Sequence, residues 1–117
     1  MATVSSHVLD SVHGNSAIGI RCQLFQLSGA NERRQLFDVR ADGEGRIAEN
    51  VVIDASNRGH EFELVFHGSD YFAGQGLAVD SIVSTVVIRF VMDQDRRYHL
   101  PLMLSPHSYS TWWSGQP

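Results

Sequence analysis

The sequence predicts an all-β protein, an eight-stranded β-sandwich with one short helix. Three observations predict it. Apolar and polar residues alternate with period two in short runs, helical periodicity is weak, and clusters of Gly, Asn, Ser and Asp separate the runs. Many short strands divided by turns bury their apolar faces best as two packed sheets.

The strands are expected in this order. "TVSSHVLD" is the first, followed by the loop "HGNSAIG", with Gly14, Asn15 and Ser16 as turn residues. "IGIRCQLFQL" is the second, with Ile18, Ile20, Cys22 and Leu24 on one face. "SGANERR" turns into "RQLFDVRAD", and "GEG" turns into "RIAENVVI". After the loop "DASNRG", "HEFELVFH" sets Phe62, Leu64 and Phe66 against Glu61, Glu63 and His67, the pattern of a half-buried strand. "GSDYFAGQGLAVD" breaks the alternation and is the place for the helix, with Ser69 or Asp70 as its cap. "SIVSTVVIRFVMD" is rich in β-branched residues. "RYHLPLMLS" puts Tyr98, Leu100, Leu102 and Leu104 on one face and Arg97, His99, Pro101 and Met103 on the other. Proline has no N–H for a ladder, so this strand is expected at an edge or a bulge. "YSTWWSG" is the last strand.

A chain of 117 residues suits a single domain, here 1–117, and can bury a core without disulfide or metal. With 43% hydrophobic and 19% charged residues it does not read as disordered. The net charge is −4 and the nine basic residues are spread along the chain, which excludes a nucleic-acid role. No apolar run approaches a membrane span, and "MATVSSHVLD" lacks the regions of a signal peptide. The one cysteine, Cys22, lies in a strand pattern and reads as a packed thiol. A soluble protein of a reducing compartment, the cytoplasm, is expected. No His-x-His or HExxH spacing suggests a metal. "GEG" and "GQG" are turn glycines outside any P-loop context, and there is no Gly-x-Ser-x-Gly elbow. No cofactor is expected.

Periodicity alone does not select catalytic residues among six histidines. His7 can pair locally with Asp10, and Arg46 can be a surface residue after a turn. His99 can be a neutral core histidine beside Pro101. His67 and Asp70 suit the start of a helix, and His13, His60 and His107 fall in turns or at strand starts and are expected to be solvated. However, "SSHVLDSVHGNSAIG", "ADGEGRI", "ELVFHGSDYF", "VVIRF", "RYHLPLMLSP" and "SYST" occur in order and at suitable spacing. Together they resemble the transthyretin-like family, in particular its 5-hydroxyisourate hydrolases, over nearly the whole chain. The resemblance implies the transthyretin-like (prealbumin) sandwich and a homotetramer with active sites in a channel where two dimers meet. It also implies a catalytic set of two histidines and an arginine, matched by His7 in "HVLD", Arg46 after the glycine turn and His99 in "RYHLPLMLSP". The family's strand begins "HYH", so Arg97 stands where a histidine is usual, which should change the charge of the channel.

The implied reaction is hydrolysis of the C6–N1 bond of 5-hydroxyisourate. A neutral histidine suits the removal of a proton from water near pH 7, and an arginine fork suits a carbonyl or oxyanion. Either histidine can be the base. The family's hydrolases end "YSTYRGS", and this chain reads "YSTWWSGQP". Since that segment lines the channel in the family, Tyr109, Ser110, Thr111, Trp112 and Trp113 are the expected substrate-binding residues. Exchange of an arginine for tryptophan removes a charge and bidentate donors and adds a flat apolar surface. In a strand, Trp112 and Trp113 point to opposite faces, so one reaches the channel and the other packs elsewhere. Two readings follow: an N-methylated hydroxyisourate as substrate, or a non-catalytic small-molecule binder of transthyretin type.

Overall fold

The computed structural model describes residues 1–29, 31–77 and 82–113. Its strands are β1 (Ala2–Asp10), β2 (Asn15–Ser16), β3 (Arg21–Ser28), β4 (Glu32–Arg40), β5 (Arg46–Val51), β6 (Glu61–Phe66), β7 (Val86–Val91), β8 (Arg97–His99), β9 (Leu102–Leu104) and β10 (Tyr109–Thr111). The one helix among the described residues, α1 (Gly68–Gly74), lies between β6 and β7. Four strands form one sheet in the order β4-β3-β6-β7, and six form the other around β1. β1 pairs antiparallel with β5 and parallel with β8 and then β9, while β10 closes on β9.

The period-two pattern selects the inner faces. Val4 and Val8 of β1, Cys22 and Leu24 of β3, and Phe62, Leu64 and Phe66 of β6 are completely buried between the sheets. Burial of each large side chain contributes about 1.5–3 kcal/mol, so these positions hold the sandwich closed. Tyr98, Leu100, Leu102 and Leu104 are all buried on one face, as expected. β8 and β9 are two parts of one strand. Both run parallel to β1 in unbroken register, Ser5 opposite His99 and Val8 opposite Leu102. The break falls at Leu100 and Pro101, where proline cannot donate. Counting β8 and β9 together and setting aside the two-residue β2 leaves the eight expected strands.

Several expectations are corrected. Ile18 does not share the face of Ile20, Cys22 and Leu24. It is 58% exposed in a turn with Gly19 at φ 79°, and Ala17 and Ile20 take the buried places. Neither Ser69 nor Asp70 caps α1. His67 occupies that position without a side-chain cap, Ser69 N–H donates to Ser84 O, and Asp70 lies in the first turn, where its charge suits the helix dipole. The last strand stops at Thr111, so Trp112 and Trp113 lie beyond the ladder, and the Ser114 and Gly115 of the expected strand lie outside the described residues.

Asp10 does not pair with His7. Its carboxylate is 1% exposed at the end of β1. There Oδ2 accepts from His13 Nδ1 at 2.6 Å and from Tyr71 Oη at 2.7 Å, and Oδ1 accepts from the N–H groups of Val12 and His13. His13 is exposed as expected, yet its ring is tethered to this carboxylate. Burial alone would raise the Asp10 carboxyl, but these hydrogen bonds from His13, Tyr71 and Val12 together hold it below the ordinary value. The cluster fastens β1 to α1. Asp10→Ala should cost about 2–4 kcal/mol by leaving the Tyr71 hydroxyl without its acceptor, read from urea unfolding at pH 7. Because the folded carboxyl is lowered, this contribution is complete above the unfolded value of about 3.9 and disappears as pH falls through the folded one. The difference between wild type and variant should shrink accordingly in acid.

Candidate active site

The site grows from the outward positions of β1. Thr3, Ser5, His7 and Leu9 alternate with the buried Val4, Ser6, Val8 and Asp10. On one side, His7 lies opposite Arg46. On the other, Ser5 lies opposite His99 and Thr3 opposite Arg97. Pairing of three strands thus brings His7, Arg46 and His99, far apart in sequence, onto one face.

Arg46 is placed by the turn before it. Asp42 Oδ1 accepts from the N–H groups of Glu44 at 2.8 Å and Arg46 at 3.0 Å. These two backbone hydrogen bonds, led by that from Arg46, lower the Asp42 carboxyl. Gly45 adopts φ 74°, and a Cβ there would lie 2.8 Å from both Ser16 Cβ and Val8 O, so this approach of the turn to β1 requires glycine. The Arg46 guanidinium stays half-exposed, with Glu44 3.8 Å from Nε. His7 Nε2 meets Ser16 Oγ at 3.3 Å.

His99 is held more firmly. Its Nδ1 lies 2.9 Å from Ser5 Oγ, and that oxygen also accepts from Arg97 Nε at 3.1 Å. Burial, and then the positive charges of Arg97, Arg46 and His7, push the imidazole below its ordinary 6.5. His99 is therefore neutral near pH 7. Arg97 does change the charge of the face, and it acts on His99. A neutral imidazole, a second imidazole and a guanidinium on one surface can together move a proton and stabilise an oxyanion.

The end of the chain divides between two faces. Ser110 lies opposite Met103, which lies opposite Leu9, on the face of His7. Tyr109 and Thr111 register with Leu104 and Leu102, and the Thr111 hydroxyl donates to Pro101 O at 2.7 Å. Trp113 stacks on the buried Tyr98 with centroids 5.6 Å apart, and the Arg96 guanidinium lies 5.3 Å from its ring. Trp113 is itself 51% exposed. Trp112 is 47% exposed, and the two border one groove against Ile88, Phe90 and Tyr98 rather than being divided by strand alternation as expected.

His67 lies away from this face, on the opposite sheet's side, where Nε2 donates to Gln23 Oε1 at 2.6 Å. Asp70 is exposed on α1, as is His107 in the turn before β10. His60 is only partly solvated: the residue is half-buried, and its Nδ1 is buried with no hydrogen-bond partner among the described residues. Cys22 is fully buried and its thiol is pushed up by desolvation, so it stays protonated. Neither Ser5 nor Ser16 was an expected site residue, and Asn15 and Ser16, expected in a turn, form β2 on β1. The signal for Ser5 was present, since a residue two before His7 on a strand shares its face.

The chain matches the HIUase/Transthyretin family over residues 4–114. It is 38% identical over 111 residues to the 5-hydroxyisourate hydrolase of Mesorhizobium japonicum, covering 93% of this chain and 89% of that protein. The structure of the Klebsiella pneumoniae 5-hydroxyisourate hydrolase aligns with a TM-score of 0.79 at 27% identity, over 97% of this chain and 99% of that one. Transthyretin from Sparus aurata aligns with a TM-score of 0.83 at 22% identity, over 97% of each chain, a likeness of fold. No helix among the described residues is long and apolar enough to cross a membrane. The face built on β1 is thus carried by a member of the HIUase/Transthyretin family.

Proposed function

We propose that this protein hydrolyses 5-hydroxyisourate, or an N-methylated form of it, in purine or methylxanthine catabolism, with His7, Arg46 and His99 as catalytic residues. The observation that carries the proposal is the convergence of these three side chains on one sheet face. Resemblance to the hydrolases of Mesorhizobium japonicum and Klebsiella pneumoniae supports the substrate class.

Water adds to the C6 carbonyl while one histidine takes a proton from it, and the carbonyl oxygen becomes an oxyanion stabilised by a donor such as Arg46. Collapse restores the carbonyl and breaks C6–N1. N1 leaves with the electron pair and takes the proton back from the imidazolium. The net change is addition of one water, giving 2-oxo-4-hydroxy-4-carboxy-5-ureidoimidazoline. The working form is a homotetramer in which faces from two dimers meet. Met103, 41% exposed beside the catalytic face, supports such a covered surface. The buried free Cys22 agrees with a cytoplasmic location.

Trp112, 47% exposed just beyond β10 and without a ring partner among the described residues, is the residue we assign to the substrate wall. Each methyl of a methylated ring buried against it contributes about 0.8 kcal/mol.

The main test generates 5-hydroxyisourate in situ with urate oxidase. Its absorbance should decay faster with the protein present, and no acceleration would leave the small-molecule binder as the better reading. His99→Asn should lower kcat by about 10²–10⁴-fold while circular dichroism and oligomeric state stay those of the wild type. Arg97→Met removes a cation beside His99, so the His99 midpoint in an NMR titration should rise toward 6.5. Trimethyl-5-hydroxyisourate should show a higher kcat/KM than the parent compound, and Trp112→Tyr should narrow the difference. Equal preference in the wild type would refute the methylated substrate.

A further inference from the structure

We infer that Ser5 is a positioning residue whose hydroxyl donates to His99 Nδ1, holding His99 as the Nε2–H tautomer and leaving His7 as the proton acceptor. The inference follows from counting donors and acceptors around one buried oxygen. Ser5 is 1% exposed, so its hydroxyl proton needs a partner within the protein. Among the described residues its Oγ meets two groups, His99 Nδ1 at 2.9 Å and Arg97 Nε at 3.1 Å. Arginine only donates, so Arg97 occupies a lone pair of Oγ and cannot receive the hydroxyl proton. The acceptor that remains is His99 Nδ1. The reverse arrangement, with Nδ1–H donating to Oγ, would leave a buried hydroxyl proton without an acceptor.

The backbone fixes the contact. Ser5 and His99 are partners in parallel register, and Leu100 N–H donates to Ser5 O at 2.9 Å. With Nδ1 accepting, a neutral His99 carries its proton on Nε2. It can donate that proton as a hydrogen bond to a substrate oxygen, but Nε2 has no lone pair to take one from water. Protonation of the ring would need Nδ1–H, which the Ser5 proton opposes. The cations facing the ring from β8, β5 and β1, namely Arg97, Arg46 and any protonated His7, oppose it too. His7 is not held in this way. It has one long contact, from Nε2 to Ser16 Oγ at 3.3 Å, and its Nδ1 has no hydrogen-bond partner among the described residues. His7 therefore takes the proton from water and returns it to N1, while His99 and Arg46 stabilise the oxyanion.

This division of roles rests on the hydrolase reading above, whereas the tautomer does not. Long-range 15N–1H NMR of the imidazole rings in the whole, substrate-free protein reads the tautomer directly. Wild-type His99 should carry its proton on Nε2. Ser5→Ala should move it toward Nδ1 and lower kcat roughly tenfold, less than loss of a positioned acid or base outright, with a smaller change in KM. Ser5→Thr restores a hydroxyl and should restore both. A wild-type proton on Nδ1, or a Ser5→Ala protein with unchanged tautomer and kcat, overturns the inference. If the wild type fails to hydrolyse 5-hydroxyisourate, the assignment to His7 falls with the hydrolase reading, while the NMR result still decides whether Ser5 positions His99.

Discussion

The pairing of β1 with neighbours on both sides is the constraint on which the rest depends. Its inward residues, Val4 and Val8, are completely buried, and a slip of one residue would exchange them for Ser5 and Leu9 or for Thr3 and His7. The core therefore sets the register, and the register sets the site. Once Val4 and Val8 face in, Ser5 and His7 face out. Arg46 is then opposite His7 and His99 is opposite Ser5. Local devices refine this placement. The Asp42 turn and the close approach at Gly45 fix where β5 begins, and the break at Pro101 lets β8 and β9 follow β1 without a proline donor in the ladder.

The parts of the fold legible in the sequence are those governed by alternation within one strand. Phe62, Leu64 and Phe66, or Tyr98 through Leu104, needed only period two. What was not legible depends on partners distant in sequence or on turn geometry. Ile18 continues the alternation of its strand on paper, yet the turn at Gly19 rotates it out. Asp10 had two histidines within reach, at three residues on either side. On a strand, His7 projects to the opposite face, whereas the turn after Asp10 brings the His13 ring back to the carboxylate. Tyr71, the third member, arrives from a helix some sixty residues later. The proposed catalytic set was reached through resemblance to a family, because nothing in the local pattern distinguishes His7 and His99 from the other four histidines.

Charge on the site is arranged asymmetrically. Two arginines flank His99, and among the described residues neither has a close, buried carboxylate partner: the ion pair from Arg46 to the exposed Glu44 is long and weak. The face is therefore cationic. A cationic face favours an anionic ureide and a developing oxyanion, and at the same time it disfavours imidazolium. The two consequences are compatible only if one histidine acts as a neutral donor rather than as a second cation. Arg97 contributes on both counts, through its charge and through the hydrogen bond to Ser5.

The two tryptophans lie beyond the ladder, which ends at Thr111, and they border one groove against Ile88, Phe90 and Tyr98. Trp113 is 51% exposed and rests at a tilt on the buried Tyr98, with Arg96 beside both rings. That position rewards a large aromatic surface whatever the substrate, since it shields the edge of the core between β7 and β10. Trp112 borders the same groove but has no ring partner among the described residues, so aromatic packing accounts for Trp113 better than for Trp112. An exposed tryptophan is costly to leave in water, and a ligand or a facing subunit is what would cover it. Of the two tryptophans, Trp112 is therefore the one whose exposed apolar plane packing within the described residues explains least.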